Sequence, residues 1–138
     1  MNNSIDGNAI VFCQGAFGTT NGKTAHGLVR RTDRYRVVSV VDSRSEGQDA
    51  SKVLDGRPVG VPIFRTVGAA VESANTQGAA ATHIVIGLAP DGGRFPGKFR
   101  PDMIQAINAR LNIDSGLHDF LSEDRELARL AEKRGVQL

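Results

Sequence analysis

Short runs of uninterrupted apolar residues alternate along this chain with segments of helical spacing, and that alternation restricts its fold more than any other feature. Ala9-Ile10-Val11-Phe12-Cys13, Arg36-Val37-Val38-Ser39-Val40-Val41 and His83-Ile84-Val85-Ile86-Gly87-Leu88 are continuous where a half-exposed strand would alternate. Such runs are strands buried on both faces of a sheet. Val61-Pro62-Ile63-Phe64 and Asn112-Ile113-Asp114 are shorter strands, the former with its proline at a start or edge. Between them the period changes to that of a helix. From Gly22, Ala25, Leu28 and Val29 share one side, and the Arg30-Arg31 pair falls at the end where the helix dipole favours cations. Thr66 caps a helix burying Val67, Ala70, Val71 and Ala74. Pro101 opens another, with Met103, Ile104, Ile107 and Leu111 inward. Glu123 to Arg134 is the last, stopped by Gly135. Strands and helices in this order close by right-handed crossovers. The expected fold is α/β, a Rossmann-like three-layer sandwich with a mainly parallel sheet of about five strands.

With 138 residues, the chain makes one domain over residues 1–138. Lys and Arg number 17 against 15 Asp and Glu, interspersed, and this mixture excludes a nucleic-acid-binding surface while allowing a local phosphate pocket. The one cysteine, Cys13, has no disulfide partner and reads as core; neither it nor the three histidines has metal-ligand spacing, so no metal is expected. The apolar run after residue 8 is too short for a signal core or a membrane span, and a cytoplasmic protein without a membrane partner is expected. The polar stretch from Ser43 to Gly60, broken by Gly47, Asp55-Gly56 and Pro58, reads as a mobile excursion with one short helix around Asp49 to Leu54.

Open parallel sheets bind ligands beyond the carboxyl ends of their strands. Four segments lie there: Gly15–Thr24, Asp42–Arg44, Ala89–Phe99 and Ser115–His118. In the first, the place five residues before Gly22-Lys23 is Phe17 and not glycine, so it is no Walker A loop; it also fails G-x-G-x-x-G. What remains is a glycine-rich turn leading into a helix, with Gly15, Gly18, Gly22, Lys23 and Thr24 as candidates for holding a cofactor phosphate or a carboxylate. The same residues would also make a plain tight turn. Asp42 stands 27 residues after Gly15, near where dinucleotide-binding domains hold a ribose hydroxyl, or it caps its own turn. Pro90, Asp91, Gly92, Gly93, Arg94 and Lys98 shape a long loop in which the two cations are clamps for a substrate anion, unless the loop is only a turn. Ser115 is a further substrate contact. His118, with an unperturbed pKa near neutrality, is the general-base candidate, against a structural role at the entry of the last helix. His26 and His83 read as packing or surface residues.

The runs Gly18-x-x-x-Gly22-Lys23-Thr24-Ala25-x-Gly27-Leu28, Val40-Val41-Asp42, Ile86-Gly87-Leu88-Ala89-Pro90-Asp91-Gly92-Gly93-x-x-Pro96 and Ser115-Gly116-Leu117-His118-x-Phe120-Leu121 together span nearly the whole chain. In these the sequence resembles the N-terminal half of proteins catalogued as domain of unknown function 1611. The resemblance implies a Rossmann-like domain whose partner is a C-terminal P-loop domain, absent up to Leu138. Some members are D-glutamate N-acetyltransferases in D-amino-acid catabolism. It therefore implies acetyl-CoA as a nucleotide-like cofactor and a small amino acid as acceptor, with His118 taking the ammonium proton; a homo-oligomer is expected besides. Two other readings stand beside it: a non-catalytic nucleotide-binding or docking module, and an NAD(P)-dependent oxidoreductase domain supported by Asp42 and the fold alone.

Overall fold

A computed structural model describes residues 5–117 and 121–138. Five strands, β1 (Gly7–Phe12), β2 (Tyr35–Val41), β3 (Ile63–Phe64), β4 (His83–Ile86) and β5 (Asn112–Asp114), form one sheet in the order β3-β2-β1-β4-β5. Every pairing is parallel. The chain runs outward from β1 through β2 to β3, then returns to the other side of β1 as β4 and β5. The strand order therefore reverses between β1 and β4, which is where sheets of this kind leave a crevice at their carboxyl ends.

The helices are α1 (Lys23–Arg30), α2 (Ala50–Asp55), α3 (Val67–Thr76), α4 (Arg100–Asn108) and α5 (Arg125–Arg134). α1 packs with α2, and α3, α4 and α5 pack in succession. Residues 9–13 of β1 and its end are fully buried, as their unbroken apolar character requires. The main core joins Ile10, Phe12, Ile84 and Ile113 of the sheet to Met103 and Ile107 of α4 and Leu127 of α5. A small separate cluster of Ala9, Tyr35 and Val85 lies with Leu28. Among the described residues, no helix is long and apolar enough to cross a membrane.

β4 is two residues shorter than its apolar run: the Gly87 amide still donates to the Phe12 carbonyl of β1 at 2.8 Å, and beyond it the chain bonds to α1 and the turn that precedes it. The amide of Ala25 donates to the Gly87 carbonyl at 2.9 Å, and the amide of Ala89 donates to the Asn21 carbonyl at 2.6 Å. The stretch 43–60, expected to be mobile, is instead tied to β3 by the Gly47 amide, which donates to the Ile63 carbonyl at 3.0 Å, and to α1 by the Arg30–Asp55 pair, and Asp49 gathers its loop. The Asp49 carboxylate accepts from the amides of Ser51 and Lys52, capping α2, and also from Val59, Gly60 and Val61 at 2.8–3.2 Å. Breaker residues mark where a chain turns, but the acceptor that satisfies a turn is fixed only by tertiary placement.

Candidate functional site

The carboxyl ends of β1, β2 and β4 surround a cleft of about 370 Å³ at the point of strand reversal. Three of the four expected segments line it, with Gly15, Ala16 and Asn21, with Ser43 and Arg44, and with Pro90, Pro96, Lys98 and Phe99; Gln14 and Leu88, each one residue before a segment, complete the wall. The polar part carries the cations Arg44 and Lys98, both exposed. The apolar part is formed by the two prolines, Leu88 and Phe99. Phe99 is set by an aromatic chain, edge-on to Phe12 with centroids 5.3 Å apart and edge-on to Phe95 at 6.4 Å, and the Lys98 ammonium lies 5.1 Å from its ring centroid. An ammonium over a ring face is held by the ring quadrupole, so Lys98 is placed at the cleft wall.

The glycine-rich turn is built from its own hydrogen bonds. The amide of Gly15 donates to Asp42 Oδ1 at 2.9 Å, and those of Ala16, Thr19 and Gly22 donate to the carbonyls of Cys13, Ala16 and Thr19 at 2.9–3.1 Å. The amide of Asn21 donates to the Thr19 hydroxyl at 3.2 Å. These five donors are engaged within the protein, so the positive character of the cleft rests on Arg44 and Lys98. Gly15 sits at φ 75°, in the left-handed region that glycine enters without cost. Gly22 has no room for a side chain: a Cβ there would lie 2.6 Å from the Ala16 carbonyl oxygen.

Asp42 is fully buried at the end of β2. Its Oδ1 accepts from Gly15 and, at 3.2 Å, from the amide of Arg44, the turn-capping arrangement. Its Oδ2 has no hydrogen-bond partner among the described residues. Beneath the turn, burial first, and then the nearby Asp42 carboxylate, push the Cys13 thiol up to about 12, so it stays protonated and belongs to the core.

The other expected residues are divided. Gly18, Gly22 and Lys23 belong to the turn without lining the cleft. Asp91–Gly93 form a single 3-10 turn, with Gly92 and Gly93 at φ 84° and 68°, and Arg94 is exposed beyond the cleft wall. Thr24 and Ser115 line a different cleft, of about 330 Å³, together with Tyr35 and Asp114. His118 lies outside the described residues. Sequence reasoning missed Gln14 altogether, and it took in Asn21, Arg44 and Phe99 only as members of their segments, without singling them out. Gln14 directly follows the apolar run that ends at Cys13, as Asp42 follows the run that ends at Val41, and it bridges the strand ends: the Ser43 amide donates to its Oε1 at 2.6 Å and its Nε2 donates to the Arg65 carbonyl at 2.9 Å. Phe99, at the junction of loop and helix, carried no signal of its own. His26, read as packing, anchors the turn: its Nε2 is hydrogen-bonded to the Phe17 carbonyl, and its ring meets the buried Phe17 edge-on at 5.4 Å.

Comparison with known proteins places this geometry. A computed match to a D-glutamate N-acetyltransferase of Tritonibacter scottomollicae has 34% identity over 62 residues, covering 45% of this chain and 19% of that protein. A crystal structure of a DUF1611 family protein from Anabaena variabilis superposes with a TM-score of 0.77 at 28% identity, over 90% of this chain and 33% of the other. D-galactose-1-dehydrogenase from Rhizobium etli shares the fold, with a TM-score of 0.56 at 15% identity over 96% of this chain and 36% of its own. The chain thus spans about a fifth of the acetyltransferase and a third of the DUF1611 structure. The sequence profile of the DUF1611_N Rossmann-like domain matches residues 43–138, from the end of β2 to the last residue, and the chain belongs to the DUF1611_N family of Rossmann-like domains.

Proposed function

We propose that this chain is the N-terminal, cofactor-holding part of a D-glutamate N-acetyltransferase-like protein, and that the cleft at the strand reversal receives the nucleotide end of acetyl-CoA. The observation that carries the reading is the pairing of two exposed cations, Arg44 and Lys98, with aromatic and proline walls in one crevice at the carboxyl edge. A nucleotide needs both: cations for its phosphates and flat apolar surface for its base. Pro90, Pro96 and Phe99 flank the base. Asp42 is fully buried behind the wall at Ser43, and its part is to hold that wall: its Oδ1 accepts from the amides of Gly15 and Arg44, which line the cleft.

The partial identity with a protein named for N-acetylation of D-glutamate supports the acyl-transfer half of the reading. In that chemistry His118 takes one proton from the acceptor ammonium, the freed amine attacks the thioester carbonyl to form the new carbon–nitrogen bond, the carbon–sulfur bond breaks, and the second proton shed by the nitrogen passes to the thiolate, which leaves as the thiol of coenzyme A. The C-terminal P-loop domain of longer family members is the proposed partner in turnover.

Coenzyme A, NAD and ATP, each added to the chain in a thermal unfolding series, test the binding half. A ligand confined to the folded state and present at a hundred times its Kd adds about 2.7 kcal/mol of stability. Coenzyme A is expected to raise the Tm, and Lys98→Glu to abolish the rise; a Tm unmoved by coenzyme A contradicts the reading. Release of free thiol from acetyl-CoA in the presence of D-glutamate tests the transfer, and its persistence in His118→Ala would remove that residue from the base role.

A further inference from the structure

The second cleft shares no lining residue with the first, and it carries what the first lacks, a carboxylate, Asp114, beside the guanidinium of Arg34. It opens beside α1 at the ends of β4 and β5, with Leu28, Val85 and Ile86 as its apolar part. Tyr35 is only 4% exposed; its ring packs against His83 with centroids 5.5 Å apart, and its hydroxyl donates to Asp114 Oδ2. Arg34 is held chiefly by Asp6, both its Nε and its Nη2 donating to Asp6 Oδ2 at 3.0–3.1 Å, and its Nη2 lies 3.6 Å from Asp114 Oδ2. One guanidinium thus serves two carboxylates, leaving the group net negative. Asp114 Oδ1 accepts from no donor among the described residues. Thr24 and Ser115 line the same cleft; the Ser115 hydroxyl accepts from the Leu117 amide at 3.2 Å and keeps its second lone pair.

We propose that this cleft binds the ammonium group of a small amino acid, with Asp114 Oδ1 and the Thr24 and Ser115 hydroxyls as acceptors. An ammonium carries three donors and no acceptor, and this cleft offers one carboxylate oxygen and two hydroxyl oxygens over an apolar floor. Tyr35 and Arg34 hold the carboxylate in place by occupying its other oxygen. The first cleft is lined by no carboxylate, so of the two clefts only this one offers an ammonium a charged acceptor. As the acceptor site, this cleft rests on the acyl-transfer reading above; as an ammonium site, it rests on its own geometry.

Titration of the labelled chain with D-glutamate, and separately with glutarate, which has the same two carboxylates and no amine, tests the proposal by amide chemical shifts. D-glutamate is expected to move the resonances of Thr24, Asp114, Ser115 and Gly116, and glutarate to leave them in place. Asp114→Asn keeps an oxygen for the Tyr35 hydroxyl and removes the charge; it is expected to weaken D-glutamate binding about tenfold or more while the remaining spectrum stays folded. Ser115→Ala, at an exposed position, is expected to weaken it several-fold. Equal shifts with both probes, shifts confined to other residues, or full affinity in Asp114→Asn would overturn the proposal. Coenzyme A binding is scored on Arg44 and Lys98 in the same samples. Its loss with D-glutamate binding intact contradicts the cofactor reading alone, and the converse contradicts this inference alone.

Discussion

A methyl group at Gly87 would lie 2.7 Å from the Cβ of Ala25 and 2.7 Å from Val11 Cγ1, so α1 sits on the sheet at the only distance a glycine permits. The Ala25 amide bond to the Gly87 carbonyl requires that approach. Gly87→Ala forces helix and strand apart and is expected to cost about 1–3 kcal/mol in urea unfolding, the usual range for overpacking a filled interior. Nothing in Ile86-Gly87-Leu88 announces this role, since a glycine closing a strand also reads as a simple stop. Asp42 was legible as a residue of the carboxyl edge, yet its dual engagement by Gly15 and Arg44 depends on where two strands end relative to one another. His26 falls on no sequence signal, because a histidine within a helix announces neither its tautomer nor its partner; its contact with Phe17 exists only once the turn folds back on α1.

Capping distinguishes the elements. Thr66, Asp49 and Asp124 each accept from amides of the first turn of the following helix, as side chains with short polar arms do. Thr66 was legible; Asp124 was placed one residue inside the helix it caps. The Asp49 side chain also closes the 56–61 loop, so Asp49→Ala removes a cap and leaves three loop amides without their acceptor; a loss of at least about 1–2 kcal/mol is expected, measured as a fall in Tm. Burial pushes the Asp49 carboxyl up, and the amides of Lys52, Val59, Gly60 and Val61 outweigh it, leaving it below the ordinary carboxylate range. At the other end of the chain, Arg100 first, and then the amide of Leu127, hold the Asp124 carboxyl at about 2. Its unfolded value is near about 3.9, so the folded state favours the charged form. The stability from this pairing is complete above that unfolded value and is lost as pH falls toward 2. Half-exposed ion pairs are screened, so the effect is modest. Urea melts at pH 6 and pH 2.5 are expected to show Asp124→Asn weaker than the parent at pH 6, with the difference narrowing at pH 2.5; a constant difference contradicts the linkage.

At the scale of the whole molecule, the continuous apolar runs of β1, β2 and β4 called for strands covered on both faces, and their alternation with helices specified the parallel sheet. The order β3-β2-β1-β4-β5 then makes the edge between β1 and β4 the crevice. Three expected segments converge there, while Thr24 and Ser115 turn to a second cleft. That division was not legible: residues adjacent along the turn, such as Asn21 and Thr24, part company across the first turn of α1, and spacing alone carries no record of which side of a helix start each one faces. The account depends most on the first cleft being a nucleotide site. A map of amide shifts on adding coenzyme A to the folded chain tests it directly: Gly15, Ser43, Arg44, Lys98 and Phe99 are predicted to move together and to saturate at one Kd, and a map that leaves these five still while coenzyme A binds elsewhere, or not at all, would contradict it.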